Sequence, residues 1–284
     1  MRWIGMRHIA AATALAISAP GLSPVLAEPL RGASGEVVAR WQVADARDGV
    51  VVDGGHFYTL GQGRIGKHDK HTGREVAHWT ANVELPLRHF TGGTVHEGRL
   101  YLAHSSHPQL PVASSIEIFD TRTMRHVASH SFGAGDGQVN WIDRHDNHWW
   151  VCRAYYDRLP EIDPDRGSIY TQIIKLDDAM RPLEAWLVDP ALVAARLAPD
   201  SISGGGFGPD GRLYVTGART PEIYALEFPR AGSTMIWRGT VPLAIEGQHF
   251  SWDDGEAGVI YGVVPGSSHV VVSRVSAASP SAHP

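Results

Sequence analysis

Apolar residues in this chain come in short alternating bursts, not in helical stripes. The clearest burst runs from Gly204 to Phe228 (GGGFGPDGRLYVTGARTPEIYALEF). A small-residue run ends at Phe207, and Pro209-Asp210-Gly211 follows as a turn. Leu213 to Thr216 and Ile223 to Phe228 then alternate as strands. Pro presets one φ of such a turn and Gly supplies the positive one, so the stretch predicts a hairpin with a third strand in front.

The same pattern recurs five times. First strands are predicted at Gly49–Asp53, Gly92–His96, Val139–Asp143, Gly204–Gly208 and His249–Asp253. Second strands follow at His56–Thr59, Arg99–Ala103, His148–Cys152, Arg212–Thr216 and Val259–Val263. Third strands lie at Ile65–Asp69, Ser115–Asp120, Tyr170–Asp177, Glu222–Phe228 and His269–Val275. The first strands begin at positions 49, 92, 139, 204 and 249, in steps of 43, 47, 65 and 45 residues. Periods of about 40–50 residues with four short strands each are those of propeller blades.

The fourth strands predict how the ring closes. Four follow their own third strands, at Arg74–Ala81, Arg125–Phe132, Pro182–Asp189 and Thr234–Leu243, but the last repeat runs out near Ser276. The missing copy stands in front of the first repeat, where Glu36–Gln42 aligns with Glu75–Thr80 and Trp41 with Trp79. The fold class is therefore all-β, a five-bladed β-propeller closed by pairing of the N-terminal strand with the last blade, which removes an exposed sheet edge. The long third step holds a loop from Asp157 to Thr171 and a short helix, with Asp189 as N-cap, Pro190 at the first turn and Pro199 as the stop. Within that loop Asp163-Pro-Asp165-Arg-Gly167 lacks the third acidic position and the distal Glu of a calcium loop, and reads as a turn.

Composition adds location. Residues 1–27 carry Arg2 and Arg7, an apolar run from Ile9 to Ile17, and Val25-Leu26-Ala27 before a cut, the makings of a signal peptide. That run falls short of the ~20 apolar residues of a membrane span, and no other stretch is long and apolar enough. The expectation is a periplasmic or secreted protein with a single propeller domain over 28–276 and a Ser/Ala/Pro-rich disordered tail at 277–284. Charged residues are 19% and the net charge is −5, so no basic face points to nucleic acid. The lone Cys152 sits in an apolar strand and reads as a buried small hydrophobe. The expected state is a monomer.

Candidate chemistry follows from strand order. If every first strand starts at the upper end, the loops between blades and those between second and third strands share that end. Ligand sites in propellers usually sit at such an end of the axis. These loops carry His89, Gln138, Ser203, Glu246, Gln248 and His249 on one side and His104 and Arg219 on the other. Of the sixteen histidines, His89, His104 and His249 converge by topology, and as three imidazoles near carboxylates they are a candidate set for a divalent metal ion. His89, His249 and Glu246 are the catalytic candidates. His104, Gln138, Ser203, Arg219 and Gln248 are the ligand-binding candidates. His68, His71, His78, His126 and His130 fall on outer strands or turns and read as structural. Trp41, Trp79, Trp186 and Trp237 recur on fourth strands as packing residues, while Trp141 and Trp252 lie nearer the axis as candidates for stacking a ligand. No nucleophile elbow, phosphate loop, zincin helix or paired-cysteine site is present.

The phrasing Pro209-Asp210-Gly211-Arg212-Leu213-Tyr214-Val215 resembles repeats of the broad propeller group that includes NHL, YVTN-type and gluconolactonase-type proteins. Phe90-Thr91-Gly92-Gly93 and Gly247-Gln248-His249 resemble strand starts in the five-bladed glutaminyl cyclases. Neither likeness carries a full set of active-site residues onto this chain, so the resemblance implies the fold and no mechanism. Two function classes fit: an exported enzyme of lactonase, cyclase or lyase type acting on a small polar molecule, and a non-catalytic exported propeller that binds a ligand or protein.

Overall fold

A computed structural model describes residues 33–158 and 165–276. The leader at 1–27, the tail at 277–284 and the Asp163-Pro164 part of the long loop lie outside the described residues. Five antiparallel four-stranded sheets make up the fold. Blade 1 is β2 (Gly49–Val52), β3 (His56–Gly61), β4 (Arg64–Asp69) and β5 (Glu75–Thr80). Blade 2 is β6 (His89–His96), β7 (Arg99–Ser105), β8 (Ala113–Asp120) and β9 (Arg125–Ala134). Blade 3 is β10 (Gln138–His145), β11 (His148–Ala154), β12 (Gln172–Leu176) and β13 (Pro182–Leu187). Blade 4 is β14 (Gly204–Phe207), β15 (Leu213–Thr216), β16 (Glu222–Glu227) and β17 (Ile236–Pro242). Blade 5 is β18 (Ser251–Trp252), β19 (Val259–Val264), β20 (His269–Val275) and, from the N-terminal side, β1 (Gly35–Gln42).

The predicted closure is present. β1 runs antiparallel to β20, from Gly35 opposite Val275 to Gln42 opposite His269. Trp41 stacks 5.3 Å from Phe57 of blade 1, as Trp79 packs edge-on 5.2 Å from Phe119 of blade 2. The two tryptophans that align in sequence thus occupy matching seams. Blades 1 and 5 are also clasped by a buried ion pair, with Lys70 Nζ 2.7 Å from Asp253 Oδ1 and 2.6 Å from Oδ2.

Apolar side chains form five clusters, one in each seam between neighbouring blades. A blade packed on both faces buries both sides of its middle strands. Leu213–Thr216 is therefore buried throughout. The outermost strands keep an alternation of half-buried and exposed positions, as in Glu75–Thr80. The helix forms as predicted but is brief, an α-turn at Pro190–Leu192 running into a π-turn at Val193–Leu197. Asp189 caps it through the Ala191 amide and also accepts the Trp237 amide, tying blade 3 to blade 4. Cys152 is fully buried.

Three first strands depart from their sequence boundaries by more than one residue; in blade 2 the strand begins at His89 and not at Gly92. In blade 3 the strand is Gln138–His145, longer than the predicted Val139–Asp143: Arg144 and His145 continue the ladder to the hairpin, and a bulge at Asn140 takes up one residue as the bulge at Thr91 does in blade 2. Trp141, and not Val139, is thereby the counterpart of Gly92. In blade 5 only Ser251 and Trp252 pair with β19, since His249 instead bridges in parallel to Gly49 of blade 1.

Candidate functional site

Counting back from each first hairpin stacks the innermost strands in layers along the axis. Asp48, Thr91, Asn140, Ser203 and Gln248 form the uppermost layer. Gly49, Gly92, Trp141, Gly204 and His249 come next, and two layers further down stand Val51, Thr94, Asp143, Gly206 and Ser251.

The second of these layers is a plug. The His249 imidazole is buried, 1% exposed, and reaches across the axis to blade 2, with Nε2 2.8 Å from the Gly93 carbonyl oxygen and 3.1 Å from its nitrogen. Glycine makes that crossing possible. A Cβ on Gly92 would lie 2.6 Å from His249 Nδ1, and one on Gly49 would lie 2.7 Å from His249 Cβ. Trp141 fills the remainder, with its indole 2.5 Å from where a Gly205 Cβ would stand. Burial pushes the His249 imidazole down to about 4, opposed by its bond to Gly93. It is neutral at pH 7, and its buried Nδ1 has no hydrogen-bond partner among the described residues.

Above the plug the sequence candidates scatter. His89 bonds Ser105 Oγ at 2.7 Å, with its ring 5.5 Å from that of His107. Burial, with His107 and His104 nearby, lowers it to about 4. His104 turns into the seam between blades 1 and 2. There it heads a polar chain through Ser115 (3.2 Å) and Glu117 (2.6 Å further) to His126 (2.7 Å from Glu117). Gln138 is buried; Arg219 is 72% exposed on its side chain, with Nε 3.6 Å from Asp200. Ser203 bonds its amide to the Thr216 carbonyl, and Gln248 accepts the Thr216 hydroxyl at 2.6 Å. Glu246 is exposed, and lies against the Pro265–Ser267 turn, away from His249. The imidazole triad expected for a metal does not assemble. His249 faces Gly93, His104 faces Ser115, and His89 faces Ser105. Among the described residues no three His, Cys, Asp or Glu side chains form a group that would hold a metal ion.

The open space lies below the plug, at the hairpin end. A cavity of about 360 Å³ is floored by Gly93, Gly205, His249 and Phe250 and walled by Thr94, Asp143, Gly206, Ser251 and Trp252. His96, Arg144, His145, Pro209 and Asp254 stand around its rim. Gly206 keeps the wall open: a Cβ there would lie 3.5 Å from Asp143 Oδ2 and 3.9 Å from Trp252 Cδ1. Asp143 lies deep in the protein, yet keeps a partly accessible surface where it borders the cavity. Its Oδ2 accepts the Phe207 amide and its Oδ1 the Arg144 amide, both at 2.8 Å, and Thr94 donates a side-chain bond. Burial nevertheless pushes its carboxyl up to about 6, with Asp254 adding to the rise.

The basic groups at the rim have contacts of their own, although the buried Arg144 Nη1 has no hydrogen-bond partner among the described residues. Arg144 pairs with Asp178 at 2.8 Å and lies over the Trp149 ring. His145 stacks on Phe207 at 3.9 Å, and His96 packs edge-on against Trp149. Asp253 is matched by Lys70, which leaves Asp143 and Asp254 as the carboxyls turned to the cavity. The Trp252 indole Nε1 is buried without a hydrogen-bond partner among the described residues.

Of the residues singled out from sequence, His249 and Trp252 border this cavity. Asp143, Thr94, Ser251 and Asp254 were missed as site residues. The available signal was the longer gap before the second strand of blade 3: once Arg144 and His145 extend β10 to its hairpin, Asp143 falls in line with Thr94 and Ser251.

No protein-family model and no curated protein sequence matches the chain. Among solved structures, it is similar to a protein of unknown function from Bacteroides caccae, with 12% identity over 75% of this chain and a TM-score of 0.40. This chain spans 64% of that protein's length. It is also similar to the Kuenenia stuttgartiensis hydrazine synthase, with 11% identity over 79% of this chain and 69% of that one, and a TM-score of 0.44. The five-bladed architecture rests on the sheets themselves.

Proposed function

We propose that this protein is an exported β-propeller that binds a small polar molecule in the axial cavity at the hairpin end. The observation that carries the reading is the cavity of about 360 Å³, with a deep carboxyl, Asp143, in its wall and the His249 plug as its floor. That volume is within the range of small-molecule sites, about 300–1,000 Å³. Blind at one end and open at the other, it suits a pocket better than a channel. Buried polar atoms of the lining without a hydrogen-bond partner among the described residues, Trp252 Nε1, Arg144 Nη1 and His249 Nδ1, favour a polar occupant. Export rests on the chemistry of residues 1–27.

A thermal-shift screen of small polar metabolites against the purified chain tests the reading. A ligand that raises the melting temperature of the protein, and loses that effect with Asp143→Asn, supports it. Ligands that stabilise both proteins equally place binding elsewhere and sink it. For export, N-terminal sequencing of protein from the periplasmic or secreted fraction is expected to begin near Glu28; retention of Met1 in a cytoplasmic product overturns that part.

A further inference from the structure

The charge balance around the cavity narrows the ligand class, on the reading that the cavity is a binding site. Each flanking charge except two has a partner within the fold. Asp253 is held by Lys70 at 2.7 Å, and Arg144 is held by Asp178 at 2.8 Å. Asp143 and Asp254 border the cavity and, among the described residues, neither is in an ion pair of its own; Lys70 lies near Asp254 but is bound to Asp253, and the Asp254 charge opposes ionisation of Asp143. A carboxylate offers about four acceptor positions, and Asp143 has three filled, by two backbone amides and the Thr94 hydroxyl. Its last position is the one a ligand donor would take. Beside it stand Trp252, an aromatic wall with an unpartnered buried N–H, and Gly206, whose missing Cβ leaves the two groups facing one space. His249 closes the floor in its neutral form, so the plug brings no positive charge.

We infer that the cavity takes a small organic cation, an amine or guanidine whose charged nitrogen sits between Asp143 and Asp254 and whose apolar part lies along Trp252. Charge-assisted bonds to carboxylates are about twice as strong as neutral ones, and an uncompensated carboxyl deep in the fold has the most to gain from such a partner. A neutral molecule of the same shape would fill the space without matching the charge. An anion would be repelled.

Three aromatic probes of similar size test this on the full chain: benzylamine, benzyl alcohol and benzoate, titrated calorimetrically and followed by Trp fluorescence. Benzylamine is expected to bind at least tenfold more tightly than benzyl alcohol, with benzoate not binding. Asp143→Asn is expected to weaken benzylamine about tenfold or more and leave benzyl alcohol unchanged. Asp254→Asn, at an exposed rim position where folding is not at stake, is expected to weaken benzylamine by a smaller factor. If benzyl alcohol or benzoate binds as tightly as benzylamine, and Gly206→Val abolishes it, the cavity is a binding site but the cationic class is wrong. If none of the three binds, this inference fails, while the cavity reading is still judged by the metabolite screen. Benzylamine binding unaffected by both Asp variants overturns the proposed seat of the charge.

Discussion

His249 and Gly93 are 156 residues apart, and the imidazole of one meets the backbone of the other at 2.8 Å across the propeller axis. Blades 5 and 2 are not neighbours in the ring, so this contact spans the channel. It separates the upper loops from the hairpin-end cavity.

That contact depends on absent side chains. Gly92→Ala would put a Cβ 2.6 Å from His249 Nδ1 and 3.0 Å from the Asn140 carbonyl. Overpacking of this kind typically costs about 1–3 kcal/mol. His249→Ala loses a buried hydrogen bond and leaves a void, for about 2–4 kcal/mol. Urea denaturation of the double variant is expected to show less than the sum of the two losses, because the clash partner has gone. Strict additivity would mean that the two residues do not share this space.

Titration of the buried groups has opposing signs. His249 and His89 are held at about 4 in the folded chain, below the ordinary 6.5. The unfolded chain therefore binds more protons between those values, and their contribution to stability is lost as pH falls from 6.5 to 4. Asp143 and Asp48 are raised to about 6 from 3.8, so the folded chain binds the extra protons, and their contribution falls as pH rises from 3.8 to 6. The two pairs offset one another. Asp143→Asn removes one falling member, so its stability is expected to rise with pH more steeply than that of the parent. The added slope is up to about 1.4 kcal/mol per pH unit. Urea midpoints at pH 4.5, 5.5 and 6.5 decide this, and parallel curves would contradict it.

The clasp between the first and last blades is expected to be costly to halve. Lys70→Met strands the Asp253 carboxyl, whose side chain is 0% exposed. Breaking one side of such a pair costs about 3–5 kcal/mol. The Lys70→Met/Asp253→Leu double variant is expected to recover most of the loss in thermal melts. A single variant as stable as the parent would show the pair to be dispensable.

Ring closure by β1 can be tested by truncation. A chain beginning at residue 45 lacks the strand that covers β20 from Gly35 to Gln42. The exposed edge is expected to give aggregated or unfolded protein in size-exclusion chromatography. A monomeric product with an unchanged melting temperature would refute closure by this strand.

The blade count, the order of strands and the terminal closure were legible in the sequence, because they follow from local patterns. Turn residues recur at a period of about 45, and Glu36–Gln42 copies Glu75–Thr80 down to the tryptophan. The helix cap at Asp189 was legible for the same reason, since an N-cap is a contact between residues two apart. Which end of the axis holds the open space was not. Antiparallel order says which loops share an end, but not where side chains fill the middle. That depended on three decisions made only in three dimensions. The bulge at Asn140 moved Trp141 into the glycine layer and carried Asp143 down beside Gly206. The parallel bridge from His249 to Gly49 shortened β18 to two residues. The reach of His249 to Gly93 then closed the upper end and left the cavity at the other. Each is a packing choice between blades far apart in the chain, set by the volumes of side chains that meet only after the ring has closed.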